Sequence, residues 1–312
     1  MTRPRLLVVG GAHIDRRGRV TGVHVAEASN PGTMREEIGG GAFNAARAAV
    51  ERGAAVSLLS LRGGDAAGER VAEAIEAAGI EDLSATFLDR TTPSYTAILT
   101  EAGDLITGFA DMALYEHGFI KQVRRSKVRD AAGGADMLLC DANMPAEAIE
   151  RLVALAAGKP IHAIAVSPAK VVRLVSVIPS LSCLFMNRRE ACRLTDMASE
   201  APPLAAAKAL TGMGLRAGVI TTGGGPALCF RHGDFFEIAP PPAGRVADVT
   251  GAGDALAGAT VAALMRGLAF AEAVREGMAA AKLAVESADA APRMDDEAFR
   301  AALARVPPPK PA

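Results

Sequence analysis

The stretch VADVTGAGDALAGATVAALM, residues 246–265, sets Gly251, Ala252, Gly253 and Asp254 at the mouth of a long run of small apolar residues. A helix that starts there leaves its first backbone N–H groups unpaired, and its macrodipole adds roughly half a positive charge. Small residues let a phosphate group reach those amides. A carboxylate in the same turn would repel that phosphate, so Asp254 needs a compensating task. Taking the proton of an attacking hydroxyl is such a task. Thr250 stands where a helix cap is expected. Capping accounts for a Thr or Asp near that turn, but not for Gly-Ala-Gly ahead of a helix apolar on all sides.

Three other groupings bear on the same chemistry. In EEIGGGAFNAA, Gly39, Gly40 and Gly41 precede a helix, and Asn44 in its first turns offers both a donor and an acceptor to a polar ligand. In MNRREA, Asn187 closes a strand and Glu190 lies one turn on; the pair could meet magnesium, directly or through water. The same spacing also fits an N-cap followed by an acidic first turn. In AHID, Asp15 follows a buried strand, where two oxygens could accept from vicinal sugar hydroxyls or simply close a turn. His13 is one of five scattered histidines without metal-ligand spacing, which argues against a zinc site. The chain carries neither G-x-G-x-x-G nor G-x-x-x-x-G-K-[ST] at these places, so a dinucleotide-binding dehydrogenase and a P-loop enzyme both lose their main support.

Repeated strand–helix units must position these residues. LLVVGG is a continuous apolar run of the kind a doubly covered parallel strand shows. AFNAARAAVERG reads as a helix stopped by Gly53, AVSLLSL as a second buried strand, and AAGERVAEAIEAAG as a helix ended by Gly79. The alternation continues through ADMLLCD, PAEAIERLVALAAG, IHAIAVS, AKVVRLVSVIP, LSCLFMN, RREACRLTD, PPLAAAKALTGMG and AGVITTGG. The expected fold class is α/β, with a mostly parallel sheet and helices on both faces. Two segments break the pattern, about 16–40 and about 92–118. TPSYTAILT alternates, EAGD turns and LITGFAD returns, so both inserts read as antiparallel strands forming a small lid over the carboxyl ends of the parallel strands. No linker or repeat divides the chain, and residues 1–312 read as one domain ending in a Pro-rich tail at about 305–312.

Composition excludes several classes. The net charge is −1 and the aromatic share 4%, so nothing points to a nucleic-acid polymer as partner. The basic run KQVRRSKVRD reads as a solvated helix face. Cys140, Cys183, Cys192 and Cys229 form no C-x-x-C pair, and three of them lie in apolar stretches as buried free thiols do. With no signal-peptide pattern and no membrane-length apolar run, a soluble cytoplasmic protein is expected.

Together GGGAFNAARAAVERGA and DVTGAGDALAGA resemble the two signatures of the ribokinase-like (PfkB-type) carbohydrate and nucleoside kinases. The order of an Asp after strand one, G-G-x-x-x-N, GGDAAG, N-x-x-E, TTGGG and G-A-G-D extends the resemblance over nearly the whole chain. It implies a three-layer α/β/α sandwich with a β lid that pairs two copies into a homodimer. It makes Asp254 the general base and the amides of Gly251, Ala252 and Gly253 the anion hole. Asn187 and Glu190 would order Mg2+ and the phosphates of ATP, while Thr221, Gly223 and Thr250 would line the nucleotide site. Asp15, Gly40, Asn44 and Asn143 would hold the sugar, with Lys170 a further substrate contact. Some relatives also need a monovalent cation such as K+. Pro226 departs from the pattern, since the family usually has a further Gly there, and implies a differently shaped loop. Within the family, the lid segment ending Ala110-Asp111-Met112, DAN at 141–143 and VSPAKVVRL at 166–174 look most like the kinases that phosphorylate pseudouridine at its 5′-hydroxyl. Ribose, adenosine and inosine are the alternative acceptors, and a nucleotide-binding regulator that kept the fold is the alternative outside enzymes. Retention of Asp254 and Glu190 argues against the regulator.

Overall fold

A computed structural model describes residues 3–242, 244, 246–247, 249–287 and 294–312. Asp248, the first acidic residue of the DVTGAGD stretch, lies outside the described residues. In chain order, β1 (Arg5–Val9) leads into β2 (His13–Val20) and β3 (Gly32–Gly39), then α1 (Gly41–Glu51), β4 (Ala55–Leu59) and β5 (Leu61–Gly63). Next come α2 (Ala66–Ala77), β6 (Glu81–Asp82), β7 (Ala85–Phe87), β8 (Ser94–Leu99) and β9 (Leu105–Asp111). The middle of the chain forms α3 (Ala113–Gln122), α4 (Ser126–Gly134), β10 (Met137–Asp141), α5 (Ala146–Ala156), β11 (Ile161–Ile164) and α6 (Pro168–Val171), which runs on as a 3-10 turn over Val172–Ser180. Then follow β12 (Cys183–Asn187), α7 (Arg188–Leu194), α8 (Pro203–Gly212), β13 (Ala217–Thr222), β14 (Gly225–Arg231) and β15 (Asp234–Ile238). The last elements are α9 (Ala252–Met265), α10 (Phe270–Glu286), α11 (Asp296–Ala304) and β16 (Lys310–Pro311).

The main sheet has the order β16-β15-β14-β13-β12-β11-β10-β1-β4-β6. From β13 to β6 all neighbours are parallel, and β14, β15 and β16 close one edge antiparallel. Side chains of one strand alternate between two apolar layers. Val8, Leu58 and Leu139 pack with α1, α9 and α10, and Leu7, Leu59 and Leu138 pack with α3, α5 and α8 on the opposite face. Burial on both faces is why these strands read as unbroken apolar runs. The result is a three-layer α/β/α sandwich with a small separate sheet.

That second sheet has the order β3-β2-β8-β9. Each insert forms an antiparallel hairpin, and the two hairpins meet through a parallel β2–β8 pair. The lid starts earlier than residue 16, because β2 already runs from His13 and carries Asp15 within it. It also stops earlier than residue 118. Leu114, Tyr115, Gly118 and Phe119 are buried on one side of α3, a helical spacing the alternation of the preceding hairpin masks.

Three other segments differ from the sequence reading. AKVVRLVSVIP is helical only briefly and then tightens into 3-10 turns. The Pro-rich end is no loose tail: β16 pairs antiparallel with β15 at Phe236 and Glu237. The edge hairpin of β14 and β15 carries alternation too short to stand out in the sequence. All four cysteines are free and buried. Among the described residues no helix is long and apolar enough to cross a membrane.

Candidate active site

The carboxyl ends of β1, β10, β12 and β13, the inner face of the lid and the start of α9 surround one cavity of about 1010 Å³. Ligand sites run to about 1,000 Å³, so this one has room for two small ligands side by side. Every site residue expected from the sequence lines it. Asp254 and the Gly251–Gly253 turn sit between two halves. His13, Asp15, Gly40, Asn44, Asn143 and Lys170 form a polar half under the lid. Asn187, Glu190, Thr221, Gly223 and Thr250 lie in the other half, which Pro240, Val249 and Met278 make apolar.

The start of α9 lies one residue beyond the cap expected at Thr250. Gly251 is its N-cap and adopts φ +76°, a left-handed conformation that only glycine takes without strain. Beside Gly253 a side chain would meet open space, so the cavity reaches its backbone, while the Ala252 N–H makes only a long 3.5 Å contact to Val249 O. Asp254 follows in the first helical turn and keeps partial exposure toward the cavity. Its Oδ2 accepts from Asn44 Nδ2 at 3.0 Å. Burial first, then the nearby charges of Asp141, Asp15 and Glu190, push the Asp254 carboxyl up to about 7 against the lowering effect of the Asn44 hydrogen bond. A carboxyl poised there holds a proton loosely enough to release it and can take another near neutral pH.

Asn187 and Glu190 do what the capping alternative describes. Glu190 N donates to Asn187 Oδ1 at 3.0 Å, and Asn187 N donates to Glu190 Oε2 at 2.7 Å, a reciprocal capping box. Capping does not exclude a second task, because Glu190 keeps one carboxylate oxygen outside this exchange and lines the cavity. Burial lifts its carboxyl to about 7 while its bonds to Asn187 lower it. A buried acid of this kind suits a dication that restores its charge, and Mg2+ needs only one or two protein carboxylates beside phosphate oxygens and waters. Among the described residues no cluster of three His, Cys, Asp or Glu could hold a metal by protein ligands alone. Thr221 Oγ1 lies 3.5 Å from Met186 O and ties β13 to β12 at the cavity edge. The turn from Thr222 to Gly225 is closed by Thr222 Oγ1 donating to Pro226 O at 2.8 Å, which needs no N–H from the proline.

In the polar half, His13 Nε2 lies 3.3 Å from Asp15 Oδ1. The buried Tyr115 hydroxyl donates to Ala12 O at 2.9 Å and accepts from Ala12 N at 3.0 Å, fixing the chain just before His13. Lys170 Nζ donates to Asn143 Oδ1 at 2.5 Å. Burial lowers the Lys170 pKa, and the Asp141 carboxylate opposes that. Sequence reasoning missed Lys282, and it gave no individual role to Asp141 or Arg173 although both lie in stretches it singled out. Arg173 Nη1 donates to Asn143 O at 3.1 Å and its Nη2 to Glu116 at 2.6 Å, bracing the turn after β10. Lys282 lines the apolar half and pairs with Glu286 at 2.5 Å, while Glu286 also accepts from Gly244 N at 2.7 Å. A lone lysine inside AAAKLAV and an aspartate ending MLLCD were the available signals.

The sandwich, the glycine turn that opens α9 and the β lid together match a known family. The model of the pfkB family of carbohydrate kinases matches residues 3–297, and the chain belongs to that family. It is 42% identical to a carbohydrate kinase from Agrobacterium tumefaciens of known structure, covering 98% of this chain and 99% of that one with a TM-score of 0.85. It is 26% identical over 293 residues to the pseudouridine kinase of Escherichia coli (strain K12), covering 90% of each. The Arabidopsis thaliana ribokinase solved with ribose and ATP has the same fold, with a TM-score of 0.86 at 22% identity over 97% of this chain and 99% of that one.

Proposed function

We propose that this chain transfers the γ-phosphoryl group of ATP to the 5′-hydroxyl of a nucleoside, pseudouridine, in one kinase unit spanning residues 1–312. The observation that carries the reading is the single turn in which reachable helix-start amides stand next to a carboxyl lifted to about 7. Phosphoryl transfer is mainly positioning and charge stabilisation, and both are available here. Asp254 takes the proton of the attacking hydroxyl, and the amides of Gly251, Ala252 and Gly253 hold the migrating group. Asp15, Gly40, Asn44, Asn143 and Lys170 orient the acceptor under the lid. Thr221, Gly223, Thr250 and the apolar wall hold ATP, as the ATP-bound Arabidopsis ribokinase suggests for its own fold. Glu190 and Asn187 would hold Mg2+, which supplies charge neutralisation on the phosphates.

The likeness to the E. coli pseudouridine kinase favours pseudouridine, and the lid motifs ending in Met112 agree with it. Free buried thiols suit a reducing cytoplasm. The lid also offers a homodimer surface. Turnover measured side by side on pseudouridine, uridine, ribose, adenosine and inosine, with and without K+, tests the assignment. Pseudouridine should give the highest kcat/KM; equal or better turnover of ribose sinks the nucleoside assignment. ATP consumption by none of them sinks the kinase reading and leaves a binding protein.

A further inference from the structure

Asp141 ends β10 and is wholly buried, yet it touches none of the ligand space that its neighbours line. Its carboxylate accepts four N–H groups. Oδ2 takes Gly11 N at 3.0 Å, Ala42 N at 2.9 Å and Asn143 Nδ2 at 2.8 Å, and Oδ1 takes Asn143 N at 3.0 Å. The Ala42 amide belongs to the first turn of α1, where the helix dipole favours an anion. The chain makes room for it as well: a Cβ on Gly10 would lie 2.4 Å from Asp141 Oδ1.

Asp141 Oδ2 already accepts from the Gly11 and Ala42 amides, so Asn143 must present its amide nitrogen to it. That leaves Asn143 Oδ1 pointing the other way, where it accepts from Lys170 Nζ at 2.5 Å. The reversed amide would set two donors against each other at Lys170 and two acceptors at Asp141. Backbone and side chain of Asn143 are therefore both fixed by one residue that lies outside the cavity.

We propose that Asp141 is a positioning residue for the phosphoryl acceptor: it selects the Asn143 amide orientation that holds the Lys170 ammonium in the acceptor half of the cavity. This deepens the kinase reading above and rests on it. In Asp141→Asn, wherever the new amide nitrogen points it faces an N–H, either Asn143 N or the three donors at Oδ2. Asn143 loses its fixed place, and Lys170 loses its partner.

The test is steady-state kinetics with ATP and whichever of pseudouridine or ribose the wild type turns over faster. Asp141→Asn should raise the acceptor KM by about 10- to 100-fold, the worth of a hydrogen bond to a charged group, and leave the ATP KM within about twofold. Lys170→Met should raise the acceptor KM similarly. Adding Asp141→Asn to Lys170→Met should change it by less than about threefold, because both act through one chain of contacts. Should Asp141→Asn fail to fold, Asn143→Asp keeps an oxygen for Lys170 but sets a carboxylate against Asp141 in place of the donated N–H, and it should raise the acceptor KM in the same way; an unmoved acceptor KM there overturns the proposal. An unmoved acceptor KM, equal rises in both KM values, or full additivity overturns the proposal. A wild type that phosphorylates neither acceptor overturns the kinase reading instead.

Discussion

Asn44 Nδ2 donates to Asp254 Oδ2 across 3.0 Å, linking α1 to the first turn of α9. The amide tethers one carboxylate oxygen and leaves Oδ1 for a substrate hydroxyl. A hydrogen bond to the charged form favours ionisation, and this one opposes the upward push of burial. Asn44→Leu removes it, so the Asp254 pKa rises further and the base is ionised only at higher pH. The acid limb of the kcat/KM profile should move upward, with activity at pH 7 down by about 10-fold or more. Asp254→Asn should cut turnover by at least about 10²-fold and leave ATP binding, measured by calorimetry, nearly unchanged. Unchanged turnover in that variant would exclude Asp254 as the base.

The same carboxyls set a pH dependence of stability. Burial holds Asp254 and Glu190 at about 7 in the folded chain, above their ordinary values of 3.8 and 4.5. Between those values and about pH 7 the native state keeps protons that the unfolded state has released. Stability from these groups is therefore full in acid and falls as pH rises through 7. Asn mimics the neutral acid, so Asp254→Asn should melt higher than wild type at pH 8, with the gap narrowing below pH 7 and closing only below about pH 4. A constant difference across that range would show that Asp254 is ionised throughout. Activity runs in the opposite sense, because the base must lose its proton to act.

Much of this site was legible because its chemistry lies in local runs. Gly251 to Asp254 and Gly39 to Asn44 each carry backbone and side-chain roles within one turn, so spacing alone locates them. The parallel strands were legible for a similar reason, since burial on both faces leaves only apolar types. What stayed hidden depends on distant partners. Asp141 looks like any strand-ending acid until Gly11 and Ala42 are brought to it, residues 130 and 99 positions away. Arg173 sits in a 3-10 turn read as helix, and its partner Glu116 lies in a helix read as lid. The short strand at Lys310–Pro311 exists only because β15 offers it an edge.

Glu190 allows its two readings to be separated. Glu190→Gln keeps an oxygen to accept from Asn187 N, so the capping box survives and the melting temperature should change little. The variant loses the charge that a magnesium ion would need. Turnover should fall by about 10- to 100-fold, the usual scale for perturbing a metal site, and the Mg2+ requirement should rise. Full activity at unchanged Mg2+ would leave Glu190 as a cap alone.

The lid has two unlike faces. Asp15, Tyr95 and Ala110 stand in one cross-strand row and line the cavity. Phe109 lies in the next row and Met34 three rows along, both of opposite pleat and so on the other face, and they are 69% and 58% exposed. Strands β3 and β9 also leave the lid with two open edges. Exposed apolar side chains beside open edges favour a second copy as the covering partner. Replacing Phe109 with Ser removes about 1.5–3 kcal/mol of burial per side chain, so the dimer constant should weaken by at least about 10-fold. Sedimentation velocity over a concentration series reads this directly. A wild type that stays monomeric at the highest concentration, or a Phe109→Ser variant that dimerises as tightly as wild type, would remove the lid as the interface.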